Sequence, residues 1–254
     1  TMHYMMEACA EKNIPIWVLD RPNPNGYYID GPLLDIKNKS FVGMHQVPIV
    51  HGMTVAEFAQ MINNEGWLEN KKKCDLHVVK CLGYTHKMRY NLPIKPSPNL
   101  PNDRAIQLYP TLGLFEGTVV SCGRGTDFPF QTFGHPEYSP KTFSFKPRSI
   151  NGASKIPPLL GKDCYGIDLK NNTAYKVIDG RINIGIIILA YKNTKLAQGQ
   201  SFFKDFFTRL AGTELLQKQI QEGLDEETIR KSWQSGLSKY QLVRKKYLLY
   251  QDFE

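Results

Sequence analysis

The 254-residue sequence lacks the features that mark several classes of protein. Its longest apolar run, Ile182 to Tyr191, is far shorter than the 18 or more residues of a membrane span. Its five cysteines are scattered without a C-x-x-C pair, which argues against a metal knuckle, a redox pair or a disulfide framework. The sequence contains no G-x-G-x-x-G, no P-loop and no G-x-S-x-G motif, so a nucleotide cradle and a nucleophile elbow are unsupported.

Charge and composition are those of an ordinary globular protein. Hydrophobic residues make up 41% of the chain and charged residues 22%. The formal net charge of +8 is spread along the sequence, and the only dense basic runs are Lys71–Lys73 and Arg244–Lys246. These runs fit either two solvated faces or attraction to a polyanion such as nucleic acid or an anionic cell-wall polymer. No nucleic-acid-binding motif accompanies them, so we expect no nucleic-acid partner.

The first part of the chain alternates helices and short apolar strands. The pattern predicts a helix over Thr1–Glu11, a buried strand over Ile16–Leu19, a helix over Val55–Asn63 and a strand over Asp75–Lys80. This order is typical of a parallel α/β sheet. The loop after the first strand lies where ligands gather in such sheets, at the carboxyl ends of the strands. Candidate site residues in this loop are Asp20, Arg21 and Asn23.

The second part of the chain is predicted to contain strands followed by three helices. A proline-rich stretch after Phe133 favours a domain boundary near residue 135, which gives two domains, 1–135 and 136–254. The expected strands are Tyr165–Leu169, Tyr175–Val177 and Ile182–Leu189, and the expected helices are Phe202–Leu210, Thr213–Glu222 and Glu226–Leu249.

The stretch LFEGTVVSCGRGTDFPF, residues 114 to 130, sets a carboxylate after an apolar run and an arginine between two glycines. Partial desolvation would raise the pKa of Glu116 and suit it to general-acid work. Alternatively, Glu116 forms an ion pair with Arg124 that closes the loop. His51, just before a helix start, is either a site residue or a hydrogen-bonding partner for its loop. With His45 it makes a poor metal pair, because no third ligand has suitable spacing.

Several blocks of sequence resemble one family. They are LDRPNPNGYYIDGPLLD (19–35), PIVHGMTVAEFA (48–59), KPSPNLP (95–101), YPTLGLFEGTVVSCGRGTDFPFQTFGHP (109–136) and SWQSGLSKYQLVRKKYLLY (232–250). Together they resemble the C-terminal two thirds of the NamZ-type exo-β-N-acetylmuramidases. The resemblance implies an exported glycoside hydrolase, periplasmic or extracellular, that removes N-acetylmuramic acid from the non-reducing ends of peptidoglycan fragments. It also implies a partial Rossmann-like α/β domain followed by a smaller α/β domain, with the site in the cleft between them.

By this resemblance Glu116 is the expected catalytic carboxylate, and Arg124 is expected to bind the lactyl carboxylate of muramic acid through its planar fork. The remaining substrate-binding candidates are Asp20, Arg21, Asn23, His51, Ser97, Asn99, Thr118 and Thr126. Ser97 and Asn99 would either bind sugar hydroxyls or stabilise turns of the proline-rich loop. We expect neither a metal nor a cofactor.

One departure from the family pattern keeps a second class of function open. The family's G-P-E-H-G and D-x-Q-D-x-G-x-R motifs do not occur here. By resemblance, about the first third of the mature protein would then be absent, with one of the two carboxylates that glycoside hydrolysis usually needs. The alternative function is a non-catalytic module that binds muropeptides or glycans. A Rossmann-type oxidoreductase is disfavoured because the glycine fingerprint is missing.

Overall fold

A computed structural model of the chain describes residues 1–171 and 180–253. In chain order the helices are α1 (Met2–Lys12), α2 (Val55–Asn64), α3 (Asp103–Leu112), α4 (Ile184–Asn193), α5 (Asp205–Ala211), α6 (Leu215–Gln221) and α7 (Glu226–Lys245). The strands are β1 (Ile16–Leu19), β2 (Asp30–Leu33), β3 (Pro48–Val50), β4 (Leu76–Val79), β5 (Thr132–His135), β6 (Ser144–Phe145) and β7 (Cys164–Asp168). The structure therefore confirms a mixed α/β protein.

The first layer is a parallel pair of strands, β1 and β4, joined in register from Ile16 opposite Leu76. Alternation along β1 turns Ile16 and Val18 toward a small core that α1 and α2 complete. Helix α2 begins with the predicted capping box, in which Thr54 and Glu57 satisfy each other's backbone N–H groups. The alternation that buries one face of β1 leaves Trp17 and Leu19 exposed on the other.

The main core is built around an antiparallel sheet with strand order β5-β7-β6. Helices α3, α4, α5, α6 and α7 and the hairpin-like pair β2–β3 contribute to the same apolar cluster. Strand β5 ends at His135 and pairs with β7, so hydrogen bonds cross the predicted boundary at residue 135. The two-domain division stays a prediction. So does the Rossmann-like arrangement, since β1–β4 is the one parallel strand pair among residues 1–171 and 180–253.

The prediction of a strand over Ile182–Leu189 is wrong, because this segment forms α4. Asn183 caps the helix by accepting a hydrogen bond from the Ile186 amide, and most of the apolar residues that follow are buried. A helix that is surrounded by protein is apolar on all sides, so hydrophobic periodicity does not separate it from a buried strand. The abundance of β-branched isoleucine favoured the wrong alternative. The predicted strand Tyr175–Val177 lies outside the described residues.

Candidate active site

Three adjoining cavities meet at His51 and form a cleft beside the carboxyl end of β1. Their volumes are about 440, 260 and 350 Å³, and His51 lines all three. Asn23, Asn25 and Tyr109 line the second and third cavities, and Arg21 lines the third. We call this set of cavities the His51 cleft. The structure thus brings together Arg21, Asn23 and His51, three of the residues predicted from sequence.

The loop after β1 is held in place by its own polar side chains. One Asp20 oxygen accepts a hydrogen bond from the Ala56 amide at the start of α2 (3.0 Å), and the other accepts one from the Tyr250 hydroxyl (2.6 Å). Asn23 donates to the Met53 carbonyl (2.9 Å). Asp20 therefore anchors the loop and does not line the His51 cleft, whereas Asn23 both anchors the loop and lines the cleft.

His51 is a neutral ring whose tautomer is set by its neighbours. The Met53 amide donates to Nδ1 (3.2 Å), so the ring proton lies on Nε2. Phe58 stacks on the ring with centroids 5.1 Å apart. Burial lowers the pKa of His51 to about 4, and the positive charge of Arg244 adds to this effect while Glu57 opposes it. At neutral pH the ring can therefore donate one hydrogen bond from Nε2.

A loss of stability in mild acid follows from two histidines. Burial, with contributions from His3 and Lys39, also lowers the pKa of His45 to about 4. Between about pH 6.5 and pH 4 these two rings stay neutral in the folded chain but take up protons in the unfolded chain. Their contribution to stability is therefore complete above about pH 6.5 and is lost as the pH falls toward 4. We expect about 2 kcal/mol per histidine to be lost between about pH 7 and pH 5.

Urea unfolding at the two pH values measures this loss. His45→Gln and His51→Gln should each flatten the pH dependence, because glutamine does not titrate. A wild-type free energy of unfolding that is the same at both pH values would contradict the assigned direction of the shifts.

Asn25 and Tyr109 are cleft residues that the sequence analysis missed. The Asn25 side chain donates to the Ile106 carbonyl (3.1 Å), and its Oδ1 is buried without a hydrogen-bond partner among the described residues. Tyr109 projects from α3, and burial raises the pKa of its hydroxyl with a further contribution from Glu116. Both residues lie in blocks that the sequence singled out, N-P-N-G and Y-P-T-L-G-L-F-E-G, but neither has a residue type that marks a site by itself.

Glu116 and Arg124 form the ion pair that was one of the two alternatives. Arg124 Nη1 lies 2.7 Å from Glu116 Oε1, and the side chains are 29% and 24% exposed. Glu116 belongs to a 3₁₀ turn, Gly113–Gly117, that directly follows α3. Neither partner lines the His51 cleft, but the Glu116 charge acts on the hydroxyl of Tyr109, which does. The ion pair therefore lies outside the lining of the cleft, on the turn that follows α3, and acts electrostatically on a residue that does line it.

The other predicted site residues hold turns together. The hydroxyls of Thr118 and Thr126 are buried and donate to the carbonyls of Phe115 (2.9 Å) and Gly123 (2.7 Å). The Ser97 hydroxyl accepts from the Asn99 amide (3.2 Å), and the Asn99 side chain donates to the Ala153 carbonyl (3.2 Å). The segment around Ser97 and Asn99 lines the third cavity of the cleft through other residues, Leu92, Pro96 and Leu100.

Two kinds of feature are absent from residues 1–171 and 180–253. No group of three or more His, Cys, Asp and Glu side chains is placed to hold a metal ion. No helix in this part of the chain has the length and apolar character needed to cross a membrane.

Two models of known protein families match this chain, one in each half. Residues 1–104 match the model described as "Exo-beta-N-acetylmuramidase NamZ, N-terminal", and residues 107–250 match the corresponding C-terminal model. The chain belongs to the NamZ family. The resemblance predicted from the sequence is confirmed, and it includes the family's N-terminal model as well as its C-terminal model.

One curated protein and two solved structures are similar to this chain over nearly its whole length. The chain is 34% identical over 266 aligned positions to the peptidoglycan β-N-acetylmuramidase NamZ of Bacillus subtilis (strain 168), an alignment that covers 98% of this chain and 63% of the relative. Two solved DUF1343 family proteins from Bacteroides fragilis NCTC 9343 are also similar. One is 49% identical with a TM-score of 0.94, and the match covers 99% of this chain and 70% of the chain of that protein. The other is 25% identical with a TM-score of 0.81, and the match covers 98% of this chain and 70% of the chain of that protein.

Proposed function

We propose that this chain carries the activity of an exo-β-N-acetylmuramidase that releases N-acetylmuramic acid from the non-reducing ends of peptidoglycan fragments. The observation that carries the proposal is the match of both NamZ models, which together span nearly all of the chain. The Bacillus subtilis relative is a peptidoglycan β-N-acetylmuramidase. Peptidoglycan lies outside the cytoplasm, so the protein would act after export, in the periplasm or outside the cell.

The His51 cleft supports binding of an amino sugar. His51 offers a hydrogen-bond donor at Nε2, and the polar side chains of Asn23 and Asn25 line the second and third cavities. An N-acetylated sugar presents carbonyl and hydroxyl oxygens that can accept from the His51 donor. The ring of Tyr109 adds an aromatic wall to the same cavities. A mostly apolar pocket with a few placed polar groups is the usual form of a small-ligand site.

Arg21 is the cation that we assign to the lactyl carboxylate. It is exposed at the wall of the third cavity, and its guanidinium has no hydrogen bond or ion pair within the described residues. Arg124, by contrast, is engaged by Glu116 at 2.7 Å. A guanidinium without a partner can offer a carboxylate two parallel hydrogen bonds, whereas Arg124 already gives Nη1 to Glu116 and has only its remaining N–H groups to offer. Binding of the lactyl group by Arg124 stays a prediction, and the binding measurements proposed below test it.

Glu116 is the carboxylate that we assign to acid or base catalysis, with Arg124 fixing its orientation. It lies on the turn that follows α3, its charge acts on the Tyr109 hydroxyl, and its side chain is partly open to solvent. Among the described residues, no Asp or Glu lines the three cavities themselves. That absence favours the second candidate function, a non-catalytic module that binds muropeptides, because hydrolysis usually needs two carboxylates at the bond.

Product release and binding separate these functions. We expect the full chain to release N-acetylmuramic acid, detected by mass spectrometry, from a disaccharide with this sugar at its non-reducing end. Arg21→Gln should weaken binding of N-acetylmuramic acid about tenfold or more, because a charged hydrogen bond is lost, and should leave N-acetylglucosamine binding unchanged.

Arg124→Gln is the matched control for the carboxylate assignment. If Arg124→Gln selectively weakens N-acetylmuramic acid binding and Arg21→Gln does not, the lactyl group belongs to Arg124. Binding without release would establish the binding module, and neither binding nor release would defeat both functions.

A further inference from the structure

The last helix of the chain holds the backbone of the turn that carries His51. Tyr240 donates its hydroxyl proton to the His51 carbonyl (2.7 Å). Arg244 donates from Nε (3.0 Å) and Nη2 (2.8 Å) to the Gly52 carbonyl. Tyr240 and Arg244 are four residues apart on α7 and therefore lie on one face of the helix. The carbonyls of His51 and Gly52 are thus held by side chains one helical turn apart on α7.

The charge of Arg244 is balanced by a carboxylate from the end of the described chain. Its Nη1 and Nη2 bind Asp252 at 2.8 and 2.9 Å, and the ring of Phe253 lies over the guanidinium at 4.7 Å. Burial acts to raise the pKa of Asp252, but the hydrogen bonds and charge of Arg244 outweigh it and hold that pKa below its usual range. Arg244 is fully buried. The pair therefore forms a rigid support in which most of the arginine donors have partners.

The turn itself leaves little freedom for another arrangement. Gly52 adopts φ 61°, in the left-handed region that favours glycine. A Cβ atom at Gly52 would lie 2.7 Å from the Tyr28 carbonyl oxygen and from Cγ2 of Ile29. With its backbone packed against the loop that precedes β2, the turn can present the two carbonyls to α7 in only a narrow range of directions.

The ring of His51 is fixed from the other side by its own loop and by α2. Phe58 stacks on the ring, and the Met53 amide occupies Nδ1. The charged groups that act on the ring are Arg244 from α7 and Glu57 from α2, and the former favours the neutral ring. The backbone support and these ring contacts together determine where Nε2–H is directed.

We infer that Tyr240 and Arg244 are positioning residues for His51, which hold its backbone so that Nε2–H faces the sugar-binding cavities. The inference rests on the proposed function for the identity of the ligand, but the position of the ring is independent of it. A buried ion pair adds little to stability compared with apolar residues of similar size. Precise placement of a polar turn is a role that apolar residues would not supply.

Tyr240→Phe tests the inference with the smallest possible change. It removes one hydroxyl and keeps the buried ring, so we expect the fold to be retained. We expect kcat/KM for release of N-acetylmuramic acid to fall about tenfold, because the His51 donor is misplaced relative to the sugar. In ¹⁵N-histidine spectra recorded without ligand, the His51 nitrogens should shift from a single Nε2–H tautomer toward a mixture.

Tyr247→Phe is the matched control, since Tyr247 follows the same helix but donates to Glu65 (2.5 Å) and not to the His51 turn. It should leave kcat/KM and the His51 nitrogen signals unchanged. Unchanged His51 signals in Tyr240→Phe would overturn the inference whether or not the wild-type chain is active. An inactive wild-type chain whose His51 signals do respond to Tyr240→Phe would defeat the proposed function and retain the positioning role.

Discussion

Replacing Arg244 with methionine is expected to lower the free energy of unfolding by about 3–5 kcal/mol, the usual cost of removing one partner of a buried ion pair. The change leaves the Asp252 carboxylate without its partner and the Gly52 carbonyl without two donors. Methionine retains most of the buried volume, so the loss measures missing polar interactions more than a cavity. Urea unfolding monitored by circular dichroism gives the free energy directly.

Two further variants separate the buried charge from other causes. Arg244→Met combined with Asp252→Leu removes both charges, and we expect it to recover a large part of the loss, because the unpaired carboxylate is then absent. Arg148→Met breaks an exposed pair, whose partners Arg148 and Asp127 are 57% and 76% exposed, and should cost less than about 1 kcal/mol. A double variant as unstable as Arg244→Met alone would contradict the assignment to an unpaired charge.

Glu116→Gln is expected to reduce turnover by about 10²–10⁴-fold, the range that loss of an acid or base group typically costs. Glutamine keeps the shape and can still accept a hydrogen bond from Arg124 at the position of Glu116 Oε1. It removes the charge and the titratable proton. Affinity for N-acetylmuramic acid and the melting temperature should therefore change little. Steady-state release of the sugar, calorimetric binding and a thermal melt measure the three quantities on one sample.

Asp127→Asn is the control for this substitution. Asp127 lies in the same stretch of sequence and also pairs with an arginine, Arg148 (2.6 Å), but the pair is exposed. Its replacement should leave turnover unchanged. If Glu116→Gln instead lowers the melting temperature while turnover stays normal, then Glu116 only closes the loop with Arg124 and takes no part in the reaction.

Local signals predicted the elements near the cleft well. The strand Ile16–Leu19 is found with the predicted bounds, and Thr54 and Glu57 form the predicted capping box. Both rest on interactions within a few residues, which a sequence displays directly. The segment around Ile184 was assigned to the wrong class because its burial on all sides depends on helices and strands from elsewhere in the chain.

The candidate site was predicted only in part for a related reason. Arg21, Asn23 and His51 follow strands or precede helices and were found from that position alone. The hydrogen bonds that support the His51 turn come from residues about 190 positions further along the chain. No sequence pattern links Tyr240 or Arg244 to Gly52. Thr118 and Thr126 were expected to bind the substrate, but their hydroxyls donate to turn carbonyls instead.

The long-range support of the His51 turn has a consequence for how the protein is made. Translation delivers the chain from its N-terminal end, so His51 and the loop after β1 leave the ribosome long before Arg244 and Asp252. The Leu249 amide, which donates to Glu57 (2.8 Å), arrives equally late. A nascent chain, or one shortened by a premature stop codon near its end, therefore possesses the cleft residues without the contacts that set them in place. Binding competence should appear only after the last helix has emerged.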